Sequence, residues 1–216
     1  AKAASLSVGI VTTTRLTHAT PAATYGHVPE RNWETDSAVS QDALQQGCTD
    51  LAQQLINFPV GDGINVAFGG GRTKFMPNTL SDPEYPKKFG ERRDGRNLIT
   101  QWQRQHPQGI YVWNTTQLKN LTSAFSGSVP SHVLALFEPS HMRYEHERMQ
   151  DIAGEPSLAE MTEVAIRLLN RNSDGYFLVV EGGRIDHALH SGNAYRALDE
   201  TISFAAAVQV AVDLTS

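Results

Sequence analysis

The sequence predicts an α/β fold: a three-layer sandwich in which helices cover both faces of a mostly parallel central sheet. Short runs rich in β-branched and apolar residues, typical of buried strands, recur along the chain. Stretches with the apolar period of a helix lie between most of them, in the order β-α-β-α/loop-β-β-α-β-α, which is typical of parallel strands joined by crossover helices. With 216 residues, of which 40% are hydrophobic, the chain is long enough to bury one core.

Five segments are predicted to be strands, because each is a short apolar run followed by a polar or glycine-rich segment; they are residues 7–14, 64–68, 110–113, 132–137 and 176–180. The second runs into Gly69-Gly70-Gly71, which lacks the following Lys-Ser/Thr of a phosphate loop and is interpreted as a tight turn. Residues 77–96 contain three prolines and two glycines and are predicted to form a polar connecting loop.

Four helices are predicted from apolar periodicity; they cover residues 41–57, about 97–105, a segment that starts near 155, and 192–212. Ser40 is a candidate N-cap for the first helix. Cys48 falls on the apolar stripe of that helix, so we expect it to be a small buried residue. Pro156, in the first turn of the third helix, supports its predicted start.

The composition argues against several classes of function. The formal net charge is −5, the isoelectric point is about 5.9, and lysines and arginines form no stripe. This argues against a nucleic-acid partner and fits a site that collects cations. Cys48 is the one cysteine, so the chain can form neither an intrachain disulfide nor a paired-cysteine zinc site. No apolar run reaches the length of a membrane span.

The segment from Glu181 to His190 carries many groups able to bind metal or phosphate. Glu181 follows a predicted buried strand, which is where ligands bind in open α/β sheets. Two glycines separate it from Arg184, Asp186, His187 and His190. Asp186 and His190 are four residues apart, so one helical turn would place them on the same face. The alternative is that the glycines form only a turn and the charges mark a solvated helix start.

A second polar segment follows the first predicted strand and contains His18, Thr20, His27 and Arg31. Because both segments follow strands of one sheet, they can meet at its edge; the alternative is that these residues cap local turns. Carboxylate and hydroxyl oxygens suit Mg²⁺, an Asp–His pair suits Zn²⁺, and a free arginine suits phosphate. Together, five residues suggest a multi-metal site that acts on a phosphate ester: Thr20, Arg31, Glu181, Asp186 and His190.

Motifs spread over nearly the whole chain resemble those of the alkaline phosphatase family, in the family's order. They are Thr12-Thr13-Thr14-Arg15, His18-Ala19-Thr20-Pro21-Ala22, Thr24-Tyr25, His27, Arg31-Asn32-Trp33, Gly69-Gly70-Gly71-Arg72, Asp82-Pro83-Glu84-Tyr85-Pro86, Phe137-Glu138-Pro139 and Glu181-Gly182-Gly183-Arg184-Ile185-Asp186-His187. The resemblance is closest to the bacterial and animal branch, which has His rather than Asp before the threonine.

The resemblance implies ligands for the catalytic metals. Glu181 and Thr20 resemble magnesium ligands, and His18 resembles a residue that hydrogen-bonds magnesium-bound water. Asp186 and His190 resemble two ligands of the first of two zinc ions. The family's expected fold is the same α/β sandwich.

The resemblance also implies a phosphate site and a peripheral cation site. Arg31 resembles the arginine that grips the substrate phosphate, and His187 resembles a nearby residue that modulates turnover without binding metal directly. The calcium site of animal members is matched by Glu84, Phe137 through its carbonyl, Glu138 and Glu155. The alternative is that these acids are ordinary solvated residues around a loop.

The family's nucleophilic serine is not expected in this chain. It belongs to an Asp-Ser-Ala motif located before the first strand. Thr35-Asp36-Ser37-Ala38 has that pattern but follows Arg31-Asn32-Trp33, so Ser37 is not expected to be the nucleophile. The remaining zinc ligands, and the cysteine that pairs with Cys48's position in animal members, belong to segments outside 1–216. We therefore expect residues 1–216 to be the central part of one domain, truncated at both ends, incomplete as a fold and inactive alone.

For the intact protein, the resemblance implies a phosphomonoesterase with two Zn²⁺ ions, one Mg²⁺ ion, a phosphoserine intermediate and possibly bound Ca²⁺. It also implies a homodimer in the periplasm or outside the cell. Two alternatives stay open. One is a catalytically silent metal-binding relative that lacks the nucleophile, and the other is a phosphodiesterase or sulfatase of the wider superfamily.

Overall fold

Five parallel strands form the sheet in the computed structural model, which describes residues 1–123 and 130–216. The strands are β1 (Ser7–Arg15), β2 (Val66–Gly70), β3 (Ile110–Val112), β4 (Val133–Leu136) and β5 (Tyr176–Glu181). Their order is β3-β4-β2-β1-β5, and each of the four pairings is parallel. The predicted α/β class and parallel sheet are therefore confirmed.

Helices pack on both faces of this sheet. Those of the described residues are α1 (Ala19–Ala22), α2 (Gln41–Gln45), α3 (Leu51–Ile56), α4 (Leu98–Gln105), α5 (Thr115–Ser123), α6 (Glu145–Arg148), α7 (Leu158–Leu169), α8 (Arg184–His190) and α9 (Ala194–Thr215). Successive strand residues point to opposite faces, so β1 to β4 each contribute to two hydrophobic cores, whereas β5 contributes to one. One core contains α3, α4 and Ile10, Ala67 and Leu134, and the other contains α5, α7 and Val11, Phe68 and Ala135.

The parallel register brings the carboxyl ends of β1 and β5 to the same edge of the sheet. Thr12 is directly opposite Glu181, the last residue of β5. The chain leaves β1 through the turn before α1, and it leaves β5 through Gly182 and Gly183 into α8. Both polar segments noted in the sequence therefore start at this edge.

The predicted helix over 41–57 is wrong in its middle. The structure has two short helices, α2 with Ser40 as its N-cap and α3 with Asp50 as its N-cap. Asp50 is buried and accepts hydrogen bonds from the Gln53 N–H and from the Arg92 guanidinium. Asp50 therefore lies at a helix start, because a side chain can accept a backbone N–H in this way only where that N–H has no partner within the helix.

The prediction that Cys48 is buried is also wrong. Cys48 lies in the turn between α2 and α3 and is exposed. Gly47, just before it, has a φ of 83°, a left-handed conformation that ends α2 and breaks the helical period. The apolar stripe in the sequence therefore combines two helices that do not share one axis.

Other helix boundaries agree with the sequence. Ser157 and Glu160 form a capping box at the start of α7, close to the predicted start near 155, but Pro156 precedes the N-cap Ser157 and is not in the first turn as predicted. The predicted helix over 97–105 is α4, and the last predicted helix is α9, displaced by two or three residues. Helix α5 was not predicted from the sequence. Over residues 1–123 and 130–216, no helix has both the length and the apolar character needed to cross a membrane.

Candidate functional site

Glu181 is fixed at the end of β5 by hydroxyl groups from β1. Thr12 Oγ1 donates to its Oε2 at 2.6 Å, and Thr14 Oγ1 lies 3.4 Å from the same oxygen. Thr12 and Thr14 point the same way because they are two residues apart in a strand. A Cβ at Gly183 would lie 2.4 Å from Thr14 Cγ2 and 2.9 Å from Glu181 Oε2, so only glycine allows this close approach.

The predicted Asp–His pair forms on α8, the helix that follows. His190 Nε2 lies 3.5 Å from Asp186 Oδ1, and the side chains are 79% and 69% exposed. The helical spacing of four residues thus places them on one face, as predicted. Two ligand atoms with metal bonds of about 2 Å lie a little over 3 Å apart around a tetrahedral ion, so one oxygen and one nitrogen at this separation fit a shared Zn²⁺.

Three histidines from three segments cluster beside Glu181. His18 follows β1, His141 follows β4, and His187 lies on α8. The His187 ring centroid lies 5.2 Å from that of His18 and 4.4 Å from that of His141, and the His18 and His141 centroids are 4.9 Å apart. One ring nitrogen of each lies within 4.8 Å of the others, so the cluster is a geometric candidate for a metal site.

Each of these imidazoles faces an arginine. Arg31 Nη2 is 3.2 Å from His18 Nε2, Arg184 Nη1 is 2.8 Å from His187 Nδ1, and Arg15 Nη1 is 2.6 Å from His141 Nε2. Since a guanidinium only donates, these ring nitrogens accept, and the rings are neutral.

The pKa values agree with neutral rings. Burial, and then the charge of Arg184, lowers the pKa of His187 to about 4. Burial and Arg15 lower the pKa of His141 to about 2. A metal-binding histidine normally donates its second N–H to an acceptor, whereas here the second partner is a cation. In this arrangement the cluster and its arginines suit an anion better than a metal ion.

Thr20 and Arg31 are both exposed at the same edge. Thr20 lies in α1, two residues beyond His18, but the hydrogen bonds of Glu181 go to Thr12 and Thr14. The structure therefore brings Arg31 to His18 directly and shows no direct contact of Thr20 with Glu181 among the described residues.

A second group of possible ligands is the acidic pocket, which we define as Glu84, Glu138 and Asp151. One carboxylate oxygen of each lies within 4.8 Å of the others. The Asp151 side chain is 1% exposed, yet its Oδ2 has no hydrogen-bond partner. Burial, and then the charges of Glu84 and Asp151, raise the pKa of Glu138 to about 7. A buried cluster of uncompensated oxygens suits a hard cation such as Ca²⁺.

Two of the four residues predicted for calcium lie in the acidic pocket, and the other two lie beside it. Phe137 is the buried residue just before Glu138. The carboxylate of Glu155 instead accepts the backbone N–H of Arg143, at 2.8 and 3.0 Å from its two oxygens. Asp151, and not the predicted Glu155, is the third carboxylate of the pocket.

His141 of the histidine cluster and Asp151 of the acidic pocket were not predicted as site residues from the sequence. His141 follows the carboxyl end of β4, and the rule that selected His18 and Glu181 applies to it as well. Asp151 lies in a polar loop among other charged residues, and nothing local to the sequence separates it from them. Ser37 lies in a short 3₁₀ helix, Asp36–Ala38, where the Asp36 carboxylate accepts the N–H groups of Arg93 and Asp94.

Comparisons with known proteins give a consistent result. The family model for alkaline phosphatase matches residues 1–216. A membrane-bound alkaline phosphatase of Bombyx mori is 50% identical over 95% of this chain and 37% of its own length. An alkaline phosphatase of Gadus morhua is 43% identical over 100% of this chain and 45% of its length.

The solved structures agree. The crystal structure of Thermus thermophilus alkaline phosphatase matches with a TM-score of 0.71 and 30% identity, over 98% of this chain and 36% of that one. The chain thus spans less than half the length of the relatives it matches. On its sequence, its fold and its match to the family model, this chain belongs to the alkaline phosphatase family.

Proposed function

We propose that this chain supplies the phosphate-binding and part of the metal-binding apparatus of a phosphomonoesterase. One observation carries the proposal. At a single edge of the sheet, the carboxylate of Glu181, the Asp186–His190 pair and the guanidinium of Arg31 all follow the ends of β1 and β5. The chain's family membership supports phosphate ester hydrolysis as the chemistry.

In this proposal, Asp186 and His190 would hold one Zn²⁺, and Glu181 with Thr20 would hold Mg²⁺, with His18 bonded to a magnesium-bound water. The donor sets fit these ions, because Zn²⁺ accepts mixed nitrogen and oxygen ligands and Mg²⁺ prefers oxygen. When bound, such ions stabilise the charge on the attacking and leaving oxygens of a phosphoryl transfer.

The chain's own residues then bind and orient the phosphate group. Arg31 is exposed, and its guanidinium offers a planar pair of donors to phosphate oxygens. His18 and His187 are neutral and lie between arginines, so they contribute N–H groups without adding a titrating charge at neutral pH. In this proposal His187 lies near the phosphate and modulates turnover without binding metal directly.

We also propose a phosphoserine intermediate, formed by a serine that residues 1–216 do not supply, and a homodimeric protein that is periplasmic or extracellular. A covalent intermediate would split one difficult step into two easier ones. Phosphate monoesters are the proposed substrates. The acidic pocket would hold Ca²⁺ through Glu84, Glu138 and Asp151. This site is distinct from the β1–β5 edge, as we name the edge of the sheet at the carboxyl ends of β1 and β5.

The test compares hydrolysis of a phosphate monoester, a phosphate diester and a sulfate ester by the full-length protein with Zn²⁺ and Mg²⁺. We expect the monoester to be hydrolysed fastest, and Arg31→Ala to lower kcat/KM for it by at least about tenfold. His27→Ala is the matched control, because His27 is exposed on the same segment. Faster diester or sulfate hydrolysis, or full activity without metal ions, would contradict the proposal.

A further inference from the structure

Arg143 contacts two of the three carboxylates that form the acidic pocket. Its Nε is 3.3 Å from Asp151 Oδ1 and 3.5 Å from Glu138 Oε1. Its Nη2 donates to the Tyr85 hydroxyl at 3.0 Å. That hydroxyl in turn lies 3.2 Å from Glu138 Oε1 and 3.2 Å from Asp151 Oδ1. The guanidinium and the phenol thus occupy two carboxylates of the pocket together.

A second arginine, Arg72, also reaches the pocket, through Glu84, but is held differently. Its side chain is wholly buried, and it binds Asp82 with two nitrogens at 2.7 and 2.8 Å and the Leu136 carbonyl at 2.9 Å. In addition, its Nη2 donates to Glu84 at 3.0 Å. Four bonds from one guanidinium in a dry site make Arg72 a fixed part of the fold.

Arg143 has the opposite properties. Its side chain is 30% exposed, and its ionic contacts of 3.3 and 3.5 Å are longer than the 2.7–2.9 Å typical of charge-assisted hydrogen bonds. Its backbone, by contrast, is fixed, because both oxygens of Glu155 accept its N–H. A fixed backbone with a loosely bound, partly solvated side chain allows the guanidinium to leave while the loop stays in place.

The charge of the pocket remains unbalanced with Arg143 in place. Three carboxylates converge, Arg72 is shared between Glu84 and Asp82, and Asp151 Oδ2 has no partner. Arg143 therefore offsets the repulsion between the acids in the metal-free protein without satisfying every oxygen. A divalent ion would contact all three carboxylates at once, which one guanidinium at this distance does not do.

We propose that Arg143 is a built-in counter-cation of the acidic pocket, which competes with a divalent cation for Glu138 and Asp151 and so sets the affinity of the site. The inference rests on the proposed Ca²⁺ site. When the ion binds, the guanidinium turns outward to solvent. The loss of its ion pairs makes Ca²⁺ binding weaker than it would be without Arg143. Removing the guanidinium removes the competitor and leaves the three carboxylates unchanged.

The experiment measures Ca²⁺ binding by isothermal titration calorimetry to the protein freed of metal with a chelator. We expect Arg143→Gln to bind Ca²⁺ about fivefold more tightly than the wild type, the size of a partly exposed ion pair. Arg143→Lys keeps the charge but loses the fork, and we expect an affinity between the two. Arg167→Gln is the matched control, because Arg167 makes an exposed pair with Glu163 on α7; its affinity should equal that of the wild type.

Thermal unfolding provides a second readout. Without Ca²⁺, Arg143→Gln should unfold at a lower temperature than the wild type, because the acids repel each other more strongly. At saturating Ca²⁺ the difference should shrink, so the calcium-induced rise in Tm is larger for the variant. If Arg143→Gln does not fold, the same two measurements on Arg143→Lys decide the question.

The outcomes separate the inference from the site on which it rests. Equal or weaker Ca²⁺ binding by Arg143→Gln, with clear binding by the wild type, would overturn the competition and leave the site intact. No Ca²⁺ binding by the wild type or by any Arg143 variant would overturn both. Binding that Glu138→Gln weakens and Arg143→Gln strengthens is the expected result.

Discussion

The two candidate metal regions of this protein differ in how much of each the fold has already built. In the acidic pocket, Glu138 is buried, the Asp151 side chain is 1% exposed, and Arg72 holds Glu84 from within the core. At the β1–β5 edge, Asp186 and His190 are mostly exposed and lie 3.5 Å from each other. A buried site is positioned by packing, whereas an exposed pair is positioned only by its helix.

Substitutions in the two regions should therefore have different effects. Substitutions in the pocket should alter the free energy of unfolding, because its charges are desolvated and paired. Substitutions of the exposed ligands should alter metal binding and leave folding almost unchanged. Glu181 lies between these cases, since two threonines of β1 hold it.

The largest expected effect comes from Arg72→Met, which tests whether buried ion pairs hold the acidic pocket together. It leaves Asp82 and Glu84 without their buried partner, and we expect a loss of about 3–5 kcal/mol in the free energy of unfolding, measured by urea denaturation. Arg167→Met, at an exposed position of α7, should change the free energy of unfolding by less than about 0.5 kcal/mol. Equal effects of the two variants would show that the pocket is not built as described.

A smaller effect is expected from Gly183→Ala, which would test whether any part of the β1–β5 edge is tightly packed. The added methyl group would lie 2.4 Å from Thr14 Cγ2, and overpacking of this kind costs about 1–3 kcal/mol. Gly192→Ala is not a matched control, because its φ of 64° adds strain of a different kind. Ala19→Gly, at an exposed position of α1, provides a better reference for a small change near the edge. An unchanged free energy of unfolding for Gly183→Ala would contradict the close approach of α8 to β1.

The free energy of unfolding should depend on pH through Glu138 of the acidic pocket. The pKa of Glu138 is raised from 4.5 to about 7 in the fold, so the folded protein retains a proton that the unfolded chain loses. That contribution to stability is complete below the unfolded pKa and is lost as pH rises to about 7. Without Ca²⁺, we therefore expect Glu138→Gln to gain stability relative to the wild type as pH rises from about 4.5 to 7.

Urea denaturation at a series of pH values measures this difference. The neutral amide removes the titration at position 138, so the comparison isolates Glu138 from the histidines, whose lowered pKa values act in the opposite direction. A stability difference between Glu138→Gln and the wild type that stays constant over this pH range would argue against the raised pKa.

The smallest effect on stability, and a large one on metal binding, is expected at the exposed pair. Asp186→Ala and His190→Ala should each change the free energy of unfolding by less than about 0.5 kcal/mol without metal. Each should weaken Zn²⁺ binding by about tenfold or more, measured by competition with a chromogenic chelator. His27→Ala removes another exposed imidazole and should leave Zn²⁺ binding unchanged.

Much of the fold follows from local sequence patterns, and the errors have local causes. The strands were predictable because each is a short apolar run between polar segments, and α7 because its capping box and apolar stripe agree. The helix over 41–57 was not, because a buried ion pair between Asp50 and Arg92, 42 residues apart, decides where α3 begins. An apolar period alone carries no information on such a partner.

The sequence by itself determined the family, the parallel α/β class and the spacing of Asp186 and His190, since these depend on residue order and the helical period. Tertiary structure alone decided that His141 joins His18 and His187, and that Asp151 rather than Glu155 lies with Glu84 and Glu138. These groups come from segments far apart in the chain. Their meeting depends on which strand ends are adjacent and on how the loops pack, and no local pattern records either.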